Sequence, residues 1–197
     1  MARVTPPAHF LASWLVAAAG GAGSRRDRII VTLAGVLPDL DGLGYGIDWL
    51  AERLGRATHL YDWHHLLFHN LGTALACTAA AFLAGARRVR TALLAALAFH
   101  LHLAMDLVGS RGPDGSWDVP YLLPFSSAWR LVAPFQWDLD SWQNRVIGLA
   151  LLATACLVAR RKGCSFLEVF SARLDAALVR LLRRAPKPAA EADREAD

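Results

Sequence analysis

Three apolar runs, at 66–85, 91–108 and 146–159, set the main limit on what this chain can fold into. The first two approach the roughly 20 residues an α-helix needs to cross a hydrocarbon layer. With 55% hydrophobic and 19% charged residues and a mean hydropathy of +0.31, the chain lies between a water-soluble globule and a polytopic membrane protein. Basic residues gather between the apolar segments, as Arg25, Arg26 and Arg28, as Arg87, Arg88 and Arg90, and as Arg160, Arg161 and Lys162. Such clusters suit the cytoplasmic flanks of membrane helices. No aromatic residues alternate with them to stack bases, so no nucleic-acid partner is expected.

The rest of the chain reads as helical. A short helix is expected over 7–19, stopped by glycines, and another over 29–37, ended by Pro38. The apolar run 10–19 lacks a basic lead-in and a clear cleavage site, and is not read as a signal peptide. Residues 109–144 turn to Gly, Pro, Trp and Asp and predict a long irregular loop of the kind that often forms lids or binding surfaces. The segment 165–184 is amphipathic, with leucines and phenylalanines at helical spacing and basic residues toward its end. Cys77, Cys156 and Cys164 show no metal-binding spacing and read as reduced fillers. The expectation is an all-α helical bundle of membrane-embedded or membrane-associated helices with a long irregular loop. It divides into a main domain over 1–162, a basic amphipathic helix over 163–184 and a disordered polar tail over 185–197.

Ionisable groups inside apolar runs are costly unless paired or bound to something. His102 and Asp106 are four apart and share a helix face, as do His65 and His69, while His64 would serve if it preceded the first turn. Asp39 and Asp41 follow a proline break in "LPDLD", and His9 opens the first helix. Imidazole and carboxylate are the usual ligands of zinc and also suit manganese. Taken singly, each has a plainer reading: His9 as a hydrogen-bonded core residue, His102 with Asp106 as a buried pair, "PDLDG" as a turn. Their joint occurrence favours a shared metal site.

In order, "TPPAHF", "GVLPDLDG", "HHLLFHN" and "HLHLAMD" resemble the YdjM-like family of membrane-associated metal-dependent hydrolases, over about residues 5–130. The family pattern is an N-terminal helix with a His, then LPDxDH, HRGxTHS and a helix with HxxxD. The resemblance implies a helical fold distantly similar to zinc-dependent phospholipase C and P1 nuclease, with metal ions held between helices. Carried over by position, it implies His9, Asp39, Asp41, His64, His69, His102 and Asp106 as ligands, with Asp39 or Asp41 also available as general base. It prefers His64 to the His65 that helical spacing favours. His65, Asn70 and His100 are expected beside the ligands. Gly42, His65, Phe68 and Asn70 depart from the pattern, which bears on substrate contacts more than on the ligands.

The function expected is therefore a hydrolase of the cytoplasmic (inner) membrane that acts on a small-molecule or lipid phosphoester through metal-activated water. Zinc is the first choice of ion, with manganese or magnesium next, and membrane lipid is an expected partner. Asp114, Trp117, Asp118, Tyr121, Phe125, Trp129 and Trp137 in the long loop are expected to line the entrance or to meet lipid headgroups. The alternatives are a non-catalytic membrane protein with a structural metal site or buried His/Asp network, and a proton or ion pathway.

Overall fold

The computed structural model describes residues 5–60, 66–111, 115 and 118–184. Its helices are α1 (Thr5–Ala19), α2 (Arg25–Ala34), α3 (Leu43–Arg53), α4 (Leu71–Ala84), α5 (Arg88–Gly109), α6 (Trp142–Lys162) and α7 (Ala172–Arg183). Short 3-10 turns cover Leu37–Gly42 and Phe166–Val169. Within the long loop the strands β1 (Asp118–Val119) and β2 (Leu131–Val132) pair antiparallel, with Asp118 opposite Val132. The expected helical architecture is therefore observed, with this two-residue ladder as its only paired strands among the described residues.

Side-chain caps set several boundaries. The Ser24 hydroxyl accepts from the Asp27 amide at the start of α2, and the Asn70 carbonyl oxygen accepts from the Thr73 amide at the start of α4. At its far end α6 stops at Gly163, whose φ of 75° is a left-handed conformation that glycine adopts without Cβ strain. Arg160, Arg161 and Lys162 occupy the last turn of α6, where a cation meets the negative end of the helix dipole.

Helices α1, α2, α4, α5 and α6 run alternately up and down, so that each end of the bundle gathers ends of all five. Small residues line their contacts: Ala17, Ala18, Ala34, Ala81, Ala95, Ala98, Ala155 and Ala159 are all buried, which lets backbones approach closely. Trp14 and Phe99 fill the larger gaps. The outer surface is apolar instead, with Leu83, Leu93, Leu97, Leu149 and Leu157 all more than half exposed. A helix that is apolar on its outward face belongs against lipid. Both α5 and α6 are long and apolar enough to cross a membrane, and α2 with the bent segment after it would make a third span.

The run 66–85 differs from its reading as a membrane-length segment. Only Leu71–Ala84 is helical, 14 residues or roughly 21 Å at 1.5 Å per residue, short of the roughly 30 Å hydrocarbon core. Residues 66–70 form turns instead, because the Asn70 side chain donates to the carbonyls of Leu66 and Leu67 and closes that segment on itself. The segment 165–184 is likewise two pieces. The Ser165 hydroxyl caps the 3-10 turn and that of Ser171 caps α7, which restarts the helix in a new direction. The expected polar tail, 185–197, lies outside the described residues.

That 3-10 turn also carries the main polar clasp of the bundle away from its His/Asp cluster. Glu168, 1% exposed, accepts from both Arg28 Nε and Nη2 at 2.6 Å and from Trp14 Nε1 at 3.0 Å, while Arg25 donates to its carbonyl. Removing the carboxylate would leave a guanidinium and an indole N–H without their partner in a dry contact. Glu168→Ala is expected to destabilise the fold by about 3 kcal/mol or more. Unfolding midpoints in detergent check this, with Glu168→Gln expected to lose less because it still accepts from Trp14.

Candidate metal centre

At one end of the bundle α5 presents His102 and Asp106 one helical turn apart, both buried. His102 Nδ1 lies 2.8 Å from the Gly35 carbonyl oxygen. A carbonyl only accepts, so Nδ1 carries the proton and donates to it, which leaves Nε2 with a lone pair. That lone pair faces Asp106 Oδ2 at 3.0 Å, His69 Nε2 at 3.3 Å and Asp39 Oδ1 at 3.7 Å. His9, from the first turns of α1, stacks on the His102 ring with centroids 3.9 Å apart and brings Nε2 to 3.1 Å from Asp106 Oδ1. His69 bridges two carboxylates, with Nδ1 3.1 Å from Asp41 Oδ2 and Nε2 3.2 Å from Asp106 Oδ2. The Ser110 hydroxyl donates to Asp106 Oδ1 at 3.1 Å.

Three carboxylates thus meet three imidazoles at one point. Among the described residues, His9 Nδ1 and Asp39 Oδ2 make no hydrogen bond although both atoms are buried, and His9 Nε2 meets only the Asp106 carboxylate. Buried polar atoms are normally satisfied, and although Asp27, Thr91, Ser141 and Gln143 also bury one such atom each, only the cluster sets them among further imidazole and carboxylate groups from separate segments, which leaves a place for a shared partner. One ligand atom each from His9, Asp39, His102 and Asp106 lies within 4.8 Å of the others. A cation among them would satisfy all four, and two imidazole nitrogens with two carboxylate oxygens fit zinc or manganese. The surplus of acceptors also shows in His69. Burial pulls its pKa down, but the Asp106 and Asp41 carboxylates outweigh burial and raise it to about 9.

The residues expected from sequence are distributed as follows. His9, Asp39, His102 and Asp106 converge, and Asp41 and His69 join them through the bonds above. His64 and His65 lie outside the described residues, as do Asp114 and Trp117. His69 stands in the turns ahead of α4 rather than on a helix. Asn70 caps α4 and holds that turn, so it fixes the backbone next to His69 rather than reaching the cluster. His100 lies on another face of α5, between the Ala96 carbonyl at 2.7 Å and the Tyr121 hydroxyl at 2.8 Å, and ties the long loop to the helix.

Beside the cluster is a narrow, mostly apolar crevice lined by Ala8, His9, Met105, Asp106, Trp137 and Asn144. Trp137 Nε1 donates to Asn144 Oδ1, and Asn144 Nδ2 donates to the Gly109 carbonyl, so the end of the long loop is fastened beside this opening. Three partners of the cluster went unnoticed in the sequence. Ser110 stands four residues after Asp106, a spacing that could have revealed it. The Gly35 carbonyl has no side-chain signature, and Ser13 acts only by crowding. A Cβ on Gly35 would fall 2.0 Å from Ser13 Oγ and 3.1 Å from Ala98 Cβ, so glycine is what allows this carbonyl to reach His102. Gly35→Ala is expected to cost about 1–3 kcal/mol by overpacking. Adding Ser13→Gly should recover most of that loss, as read from paired thermal unfolding curves.

The model of the YdjM inner membrane protein family matches residues 4–183, which takes in the whole bundle and α7. No curated protein and no solved structure matches the chain. With nearly its full length matched and with apolar helices of membrane-spanning length, the chain is a membrane protein and belongs to the YdjM inner membrane protein family.

Proposed function

We propose that this protein is a metal-dependent hydrolase of the cytoplasmic membrane that attacks a phosphoester, free or carried by a lipid, with water. The observation that carries this reading is the convergence of ligand atoms from His9, Asp39, His102 and Asp106, three of these four residues being buried. Zinc is the preferred ion, then manganese or magnesium. A divalent ion held there supplies Lewis acidity toward a phosphoryl oxygen and makes water more acidic.

The chain's own residues divide the remaining work. Asp106 spreads both carboxylate oxygens over three imidazoles and holds the ligand set together. The Gly35 carbonyl fixes the His102 ring with Nε2 toward the centre, as partners behind metal ligands commonly do. Asp41 holds His69 in orientation. The Asp39 side chain is 19% exposed, against 6% or less for Asp41, Asp106 and the three histidines, and it takes the proton from water on the open side. Burial of the other groups favours one rival reading, a closed structural metal site without turnover.

Hydrolysis of a chromogenic phosphomonoester and phosphodiester by detergent-purified, metal-loaded protein separates the two. The proposal expects activity that falls about 10²-fold or more in Asp39→Asn and is abolished in Asp106→Ala, which should also lose its metal. Metal-loaded wild type that cleaves neither ester would overturn the catalytic reading and leave the structural one.

A further inference from the structure

The two ends of the bundle differ in charge as well as in chemistry. The end that carries the His/Asp cluster gathers the start of α1, the end of α2, the start of α4 and the end of α5. The start of α6 is there too, since Asn144 bonds to the Gly109 carbonyl. The opposite end gathers the other termini. Arg90 donates to the Gly20 carbonyl, the Ala86 amide donates to Asp27 Oδ1, and Arg25 and Arg28 grip Glu168 just beyond the end of α6. Arg183 donates to the Arg160 carbonyl and so draws the end of α7 to that same place.

All three basic clusters of the sequence therefore meet at the end farthest from the ligand atoms. Except for Arg28, which is held by Glu168, their members are exposed. Arg180, Arg183 and Arg184 of the α7 region add to them. The ligand end has only Arg53, Arg56, Arg111, Arg130 and Arg145 among the described residues, and Arg111 and Arg130 are paired with Asp138 and Asp118. Lys and Arg in short segments flanking membrane helices remain on the cytoplasmic side. Every basic cluster here lies within a few residues of an apolar helix end, where that bias is strongest.

We infer that the basic end faces the cytoplasm and that the ligand cluster opens on the opposite face of the membrane. The aromatic residues agree with this placement. Tyr45, Trp49, Trp129 and Trp142 are exposed around the ligand end, and Trp and Tyr favour the headgroup region at membrane surfaces. Combined with the proposed function, on which only this last step rests, the orientation restricts the substrate class. The phosphoester must reach the site from the outer leaflet or from the compartment beyond it, not from the pool of cytoplasmic metabolites.

The test is cysteine labelling in spheroplasts with a membrane-impermeant maleimide, in a parent in which Cys77, Cys156 and Cys164 are changed to Ala. Ser127→Cys, beside the ligand end, should label in intact spheroplasts, and Ala86→Cys, exposed in the turn between α4 and α5 at the basic end, only after lysis. The reverse pattern, or equal labelling of both sites before lysis or only after it, would overturn the inference. A C-terminal green fluorescent protein on the unmodified full chain provides a second readout that needs no cysteine changes. It should fluoresce, and the same fusion to alkaline phosphatase should be inactive; an active phosphatase fusion would contradict the assignment. Both readouts are independent of hydrolysis, so an inactive protein with this labelling pattern would refute the proposed function alone. An active one with the reverse pattern would refute the orientation alone.

Discussion

The arrangement around Asp106 determines most of what surrounds it. One carboxylate is shared by His9, His69 and His102, and two further carboxylates stand behind it, so the cluster has a surplus of acceptors that only positive charge can balance. Each element of the ligand end serves that need. Helix α5 supplies the shared pair, the 3-10 turn after α2 supplies Asp39 and Asp41, the turns before α4 supply His69, and α1 supplies His9. Because these come from separate segments, helix packing must be accurate to within roughly 0.5 Å for the cluster to exist. The alanine-lined contacts supply that accuracy, since small side chains leave little freedom in how two backbones approach.

A polar centre of this kind inside a lipid-facing bundle needs support from outside itself. The far end has its own buried charge, Glu168, fully engaged by Arg28, Arg25 and Trp14. The two polar knots share α1 and α2: one ties them to α5 and the start of α4, the other to the segment after α6. Between them the interior is apolar and tightly filled. Strong polar contacts at the ends and an apolar middle suit a protein whose outer surface meets hydrocarbon, where an unpaired polar group is especially costly.

The helical architecture was legible because apolar runs of membrane length have few alternatives. The donor atoms were legible where local spacing dictates proximity, as for His102 and Asp106 on one helix face, and where the motifs in "LPDLD" and "HHLLFHN" supplied the register. Long-range geometry left no such mark. A carbonyl such as that of Gly35 looks like any other in a sequence, and the need for glycine there follows from Ser13 on another helix. The run 66–85 read as one long helix because hydropathy does not register a side chain that closes a turn, as Asn70 does. His100 resembled its neighbour His102 in type and position, yet two residues along a helix turn it to another face and to Tyr121. Glu168 gave no signal because its partners lie about 140 or more residues away.

In the proposed reading, the cluster around Asp106 holds a divalent metal ion. The most direct measurement is metal content, with X-ray absorption at the metal edge, on protein purified in detergent without chelator. At least one tightly held ion is expected, in a mixed nitrogen and oxygen shell at about 2.0–2.2 Å, with the outer-shell scattering of imidazole rings. Folded protein that holds no ion, even after zinc and manganese are added back, would contradict it.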